Sequence, residues 1–79
     1  MTKKKNQEIE GEVIEALPNT MFRVQISEDA PEEFAGRTLL CTLRGKMRMY
    51  RIKVMPGDHV RLDVTPYDLN RGRITFRVK

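Results

Sequence analysis

The chain has 79 residues, and its 15 Lys and Arg against 11 Asp and Glu give a formal net charge of +4. A chain this short forms one small domain with a thin core, which argues against two domains and against the enclosed substrate pocket of an ordinary metabolic enzyme. It contains no apolar run approaching the roughly 20 residues of a membrane span and no apolar signal segment after Met1. One cysteine and one histidine offer neither a disulfide nor a metal-ligand cluster, so we expect a soluble, cytoplasmic protein without a cofactor.

The hydrophobic pattern predicts β-strands. Residues 1–7 are polar and include three consecutive lysines, which predicts a flexible basic tail ahead of one domain over residues 8–79. From residue 9 onward the hydrophobic period is two, the period of a strand with one buried face. The positions expected to face the core are Ile9, Gly11 and Val13, then Phe22, Val24 and Ile26, then Leu39, Cys41 and Leu43, then Val60, Leu62 and Val64, and finally Ile74, Phe76 and Val78.

Turn residues separate these five segments. Pro18-Asn19 and Pro56-Gly57-Asp58 predict tight turns, and residues 65–72 predict a loop. Residues 27–37 contain four acids, a proline and a glycine, which predicts an exposed loop outside the core. Residues 46–49 have good helix propensity and predict a short helical turn. Five strands with a helical turn between strands three and four predict an all-β, five-stranded Greek-key barrel (OB-fold), with an SH3-like barrel as the alternative.

Positive charge is concentrated in the second half of the chain. Residues 1–36 carry four basic and eight acidic side chains, a net of −4, whereas residues 37–79 carry eleven basic and three acidic, a net of +8. Residues 37–53 hold six basic side chains and no acid. This segment favours a polyanionic partner, although a run of charge is about equally typical of a solvated face.

Every usual catalytic constellation lacks a member, which indicates a protein that is not an enzyme. His59 is predicted on the solvent side of a strand, without a partner for general-base chemistry. Cys41 is expected to be a small core residue rather than a nucleophile. The scattered acids Asp58, Asp63 and Asp68 favour turn bonds and charge balance over a metal site.

Arginines in the last two strands indicate RNA binding. The polar positions there hold Arg61, Arg73, Thr75 and Arg77. Because these positions alternate with core residues, we expect the four side chains to share one face. Guanidinium groups bind phosphate in a bidentate manner and stack on exposed bases, so this face is suited to RNA.

The number of exposed aromatic residues distinguishes binding to single strands from binding to folded RNA. With Phe76 assigned to the core, the candidates for base stacking are Phe34, Tyr50 and Tyr67, although Tyr67 could equally pack over the end of the barrel. A cold-shock-type single-strand chaperone, the alternative function, normally displays a row of surface aromatics. Their scarcity here favours binding to folded RNA.

Four segments carry a resemblance to a known family: Leu17–Val24, Gly45–Arg48, Pro56–Asp58 and, most specifically, Thr65–Arg77. In these segments the chain resembles bacterial-type translation initiation factor one. With the strand pattern between them, the resemblance extends over nearly the whole chain from residue 8. It implies an OB-fold that binds the aminoacyl-tRNA site of the small ribosomal subunit, assists initiation factors two and three, and catalyses no reaction.

The resemblance also implies which side chains reach the RNA. Lys46 and Arg48 correspond to the pair near the decoding adenines. The aromatic residue that follows this pair lies one position away from its place in the family pattern, so either Tyr50 or Arg51 faces the RNA. The expected RNA-binding residues are Lys46, Arg48, Arg51, Lys53, Arg61, Tyr67, Arg73 and Arg77. The expected partners of the monomer are small-subunit RNA at the decoding site, a neighbouring ribosomal protein, and initiation factors two and three.

Overall fold

The computed structural model describes residues 7–43, 45 and 53–78. Within them lie five strands, β1 (Gln7–Leu17), β2 (Met21–Ile26), β3 (Thr38–Leu43), β4 (His59–Thr65) and β5 (Asp68–Arg77). They form a closed barrel in the order β1-β2-β3-β5-β4, in which β3 and β5 run parallel and the other neighbours antiparallel. The predicted OB-fold is therefore confirmed. The predicted helical turn over residues 46–49, and the tail apart from its last residue, lie outside the described residues.

The alternation of apolar and polar side chains in β1 to β4 produces the barrel interior as predicted. In each strand the predicted inward positions are buried, and nearly all outward positions are exposed or half-buried. Cys41 is fully buried, and burial raises the pKa of its thiol to about 12. The thiol thus remains protonated at neutral pH and fills space in the core, as expected.

The connection between β2 and β3 contributes to the core, contrary to the prediction of a loop outside it. Phe34 is fully buried. Its amide donates to Pro31 O (2.8 Å), and its carbonyl accepts from the Arg37 amide (3.0 Å), which forms a compact turn. Since the Ser27 amide also donates to Glu10 O (3.0 Å), the connection lies along β1 where β2 has ended. Burying one large aromatic ring offsets the cost of ordering an otherwise polar segment.

β5 begins earlier than the sequence predicts, because part of the predicted 65–72 loop is strand. Only a short turn at Pro66 and Tyr67 separates it from β4. Its middle pairs in parallel with β3, from Leu40 opposite Arg71 to Leu43 opposite Ile74. Gly72 leaves room for core side chains of both neighbouring strands, since a Cβ there would lie 2.7 Å from Leu62 Cδ1 of β4 and 3.3 Å from Cys41 Sγ of β3. A turn-forming residue such as Gly72 therefore lies inside a strand.

An irregularity in β5 reverses the faces that alternation assigns to its last residues. Arg61 pairs with Phe76 while Leu62 pairs with Ile74, so one extra residue, Thr75, is inserted in β5. Such a β-bulge shifts every following side chain to the other face. The core assignments of Phe76 and Val78 are therefore wrong. Phe76 is 54% exposed and Val78 46% exposed.

Candidate nucleic-acid interface

The outer face of β2, β3 and β5 carries two rows of side chains that run across the strands. Residues opposite each other in neighbouring strands project to the same side of a sheet. The first row contains Arg23, Leu40 and Arg71, and the second contains Met21, Thr42 and Arg73. Arg71 and Arg73 thus project side by side from β5, the strand at the end of both rows.

Arg71 and Arg73 are available for an external anion. Both are exposed, and neither guanidinium forms an ion pair within the part of the chain that the structure describes. Arg23 lies at the other end of the row that contains Arg71. Its Nε is 3.1 Å from Glu15 Oε1, which partly offsets the charge of Arg23. Sequence analysis missed Arg71 because it assigned residues 65–72 to a loop. The parallel pairing with β3 that places it depends on contacts distant in sequence.

A shallow depression lies beside these arginines. It has a volume of about 220 Å³, and its polar lining consists of Thr42, Asp63, Thr65, Asp68, Arg71 and Arg73. Guanidinium donors next to carboxylate and hydroxyl acceptors can hold both the phosphate and the polar edges of a nucleotide.

Tyr67 lies in the turn next to this depression. It is 79% exposed, so it is not packed over the end of the barrel, which was the alternative left open by the sequence. An exposed ring on a short turn can stack on an unpaired base. Phe34, the other stacking candidate in the described residues, is buried and unavailable, and that assignment is wrong.

Arg61 lies in different surroundings from Arg73. Its Nε is 3.3 Å from Glu10 Oε2, and its guanidinium carbon is 5.9 Å from the centre of the Phe76 ring. The neighbouring strand β1 presents an outward row of Glu8, Glu10 and Glu12. Arg61 therefore borders an acidic face, where its charge is already partly compensated.

Arg77 does not share the face of Arg61 and Arg73. It pairs with the buried Val60, and its side chain reaches the segment that precedes β4. Its Nη1 donates to Lys53 O (3.0 Å) and lies 4.0 Å from Asp58 Oδ2. The bulge at Thr75 accounts for the difference from the sequence prediction.

Four residues that the sequence predicts to bind RNA remain, and the structure describes one of them. This residue is Lys53, which is exposed and is the last residue of the acid-free segment 37–53. Lys46, Arg48 and Arg51, like Tyr50, lie outside the described residues. Among the described residues, no group of three His, Cys, Asp or Glu side chains is arranged to hold a metal ion. No helix there is long and apolar enough to cross a membrane.

A small closed OB-fold barrel with exposed arginines and a tyrosine on β5 and its turn belongs to the class of oligonucleotide-binding barrels. The family model described as "Translation initiation factor 1A / IF-1" matches residues 1–79. The chain belongs to this family and is a translation initiation factor, a kind of protein that is not an enzyme.

Solved structures agree with this assignment. The solution structure of translation initiation factor one from the Wolbachia endosymbiont strain TRS of Brugia malayi is 32% identical, with a TM-score of 0.70. The match covers 94% of this chain and 79% of that chain. YjeQ from Thermotoga maritima is 29% identical (TM-score 0.68), with 92% of this chain and 23% of that chain covered. YloQ, a circularly permuted GTPase, has the same coverage and a TM-score of 0.70 at 20% identity, which shows the fold alone.

Proposed function

We propose that this initiation factor binds the aminoacyl-tRNA site of the small ribosomal subunit through ribosomal RNA. As a monomer in the cytoplasm, it would assist initiation factors two and three in assembling the initiation complex, without catalysing a reaction. Occupation of that site by a rigid barrel would exclude tRNA sterically.

The observation that carries this proposal is the pair of arginines without ion-pair partners among the described residues, Arg71 and Arg73, next to the exposed Tyr67. Backbone phosphates supply most of the affinity in protein–nucleic acid complexes, and stacking on single-stranded bases adds to it. These side chains, and the six basic residues of the acid-free sequence segment 37–53, supply the positive charge that RNA binding needs. We propose the same role for Lys46, Arg48, Arg51 and Lys53.

The exposed aromatics also bear on the alternative, a cold-shock-type chaperone. In the described residues, Tyr67 and Phe76 are the exposed aromatics, and Phe76 lies beside Arg61, whose charge Glu10 partly offsets. A single-strand platform needs successive rings beside a positive groove. The spacing and charge around these two rings favour a folded RNA site instead.

The test is binding to purified small subunits across a salt series, followed by chemical footprinting of the RNA. For about 4–6 phosphate contacts, the slope of log K against log salt should be several units negative. The footprint should fall at the decoding site and disappear when that site is occupied by aminoacyl-tRNA. A flat salt response, or protection elsewhere, would contradict the proposal.

A further inference from the structure

Arg77 connects two parts of the molecule that are far apart in sequence. Its guanidinium Nη1 donates to the backbone carbonyl of Lys53 (3.0 Å). It also lies 4.0 Å from Asp58 Oδ2, the oxygen that accepts a hydrogen bond from the Met55 amide (2.9 Å). Strand β5 is thereby linked through one side chain to both ends of the segment 53–58.

Other contacts already hold the later part of that segment on the barrel. The Gly57 amide donates to Val13 O (2.7 Å), and the Val13 amide donates to Asp58 O (2.9 Å). Val54 is buried in the core. None of these contacts reaches the Lys53 carbonyl, which is where Arg77 binds. Lys53 is in turn the last residue of the acid-free segment 37–53.

We propose that Arg77 is a positioning residue: by holding the Lys53 carbonyl, with Asp58 as its counter-ion, it fixes the position on the barrel of Lys53, one of the proposed RNA contacts. This inference rests on the proposed RNA-binding function. It differs from a direct phosphate contact by Arg77, because one nitrogen of its guanidinium already binds the protein backbone. Lys46, Arg48 and Arg51 all lie within seven residues of Lys53 in the chain.

The two roles make opposite predictions for Asp58. If only net charge and direct contact matter, Asp58→Ala removes a negative charge and should leave RNA binding unchanged or tighter. If Asp58 and Arg77 position Lys53 together, Asp58→Ala should weaken binding. Glu12→Ala is the matched control, because Glu12 is an exposed acid of β1 that precedes Val13, the residue bonded to Asp58.

The experiment measures the affinity of purified small subunits for the full chain and its variants across a salt series. We expect Arg77→Leu and Asp58→Ala each to weaken binding about tenfold, and the double variant to be little worse than either single one. The salt slope should fall by about 0.7–0.9 in Asp58→Ala as well as in Arg77→Leu, because both variants displace the proposed phosphate contact of Lys53. Equal or tighter binding by Asp58→Ala, as for Glu12→Ala, would overturn the inference.

A second measurement separates this inference from the proposed function. In proton–nitrogen NMR spectra of the free protein, Arg77→Leu and Asp58→Ala should shift the amide resonances of Lys53 and Val54, whereas Arg73→Leu should not. If the wild type fails to bind small subunits, the proposed function is wrong, and these spectra still decide the positioning role. Unshifted resonances would overturn it. Thermal melts precede both measurements, and Asp58→Asn, which retains an acceptor for Met55, replaces any Asp58→Ala protein that does not fold.

Discussion

Phe34 and Phe76 are aromatic side chains of equal size in contrasting surroundings. Phe34 is fully enclosed by the core, in a connection that is otherwise rich in acids. Phe76 is 54% exposed and has the guanidinium of Arg61 over its ring at 5.9 Å. Removing the first ring leaves a cavity, whereas removing the second mainly uncovers solvent-facing surface.

We therefore expect Phe34→Ala to lower the free energy of unfolding by about 3–5 kcal/mol, enough to threaten a domain of this size. Phe76→Ala should cost about 1 kcal/mol or less, chiefly the lost cation–π contact. Urea unfolding of both variants, with Phe34→Leu as a volume-conserving control, tests the comparison. A larger loss at Phe76 than at Phe34 would show that β5 has no bulge in solution.

Cys41 makes stability depend on alkaline pH. Its pKa rises from the ordinary 9.0 to about 12 in the fold, because burial disfavours the thiolate. Between these values the unfolded chain loses a proton that the folded chain keeps. Stability contributed by the neutral thiol is thus complete below pH 9.0 and declines as pH rises toward about 12, by at most about 1.4 kcal/mol per pH unit.

Cys41→Ala should lack this decline. Urea unfolding near pH 8 and near pH 10.5 would give a loss of stability in the wild type that exceeds the loss in Cys41→Ala. Subtracting the change measured in the variant removes the contributions of all other groups. Equal losses in the two proteins would mean that the thiol is not desolvated in the fold.

At the scale of the strands, local patterns predicted the fold wherever pairing is regular. The alternation in Ile9–Val13 and Phe22–Ile26 marks the buried faces of β1 and β2, because a strand turns each successive side chain over. The same rule fails in β5, because the extra residue at Thr75 depends on how β4 pairs with β5. Phe34 was misassigned for a similar reason. Its local sequence is that of an exposed loop, and only the tertiary fold offers the ring a core to enter.

β1 and β2 lie close together at Gly11, because glycine has no Cβ. A Cβ there would lie 2.6 Å from the backbone oxygen of Gln25 and 2.7 Å from Val24 Cγ1. Because the backbone oxygen belongs to a paired strand, Gly11→Ala should push β2 away and cost about 1–3 kcal/mol. Gly45→Ala is the control, with no atom of the described residues within 4 Å of the new Cβ, and should stay within about 0.5 kcal/mol. Thermal melts that rank the two variants equally would contradict this account.

At the scale of the whole molecule, charge is divided between two sides of one barrel. The outward row of β1 is acidic, whereas β5 presents Arg71 and Arg73. The sequence indicated this division through the opposite net charges of residues 1–36 and 37–79. It did not indicate which individual arginines are compensated, since the Glu10–Arg61 pair joins residues 51 positions apart. The positive charge of the candidate site could thus be predicted from the sequence, but not which arginines belong to it.

This division yields a comparison of two arginines with the same chemistry. Arg71→Gln removes a charge with no ion-pair partner among the described residues, so it should weaken binding to small subunits and reduce the salt slope by about 0.7–0.9. Arg61→Gln removes a charge that Glu10 already offsets at 3.3 Å, and it should change affinity less than about threefold. Arg71→Gln should leave the melting temperature nearly unchanged because Arg71 is exposed, whereas Arg61→Gln also removes the contact with the Phe76 ring and should lower the melting temperature by a few degrees. Titration of both variants against purified subunits decides the matter. If Arg61→Gln loses as much affinity and salt slope as Arg71→Gln, the RNA extends across β4 onto the acidic side, and the interface is wider than the outer face of β2, β3 and β5.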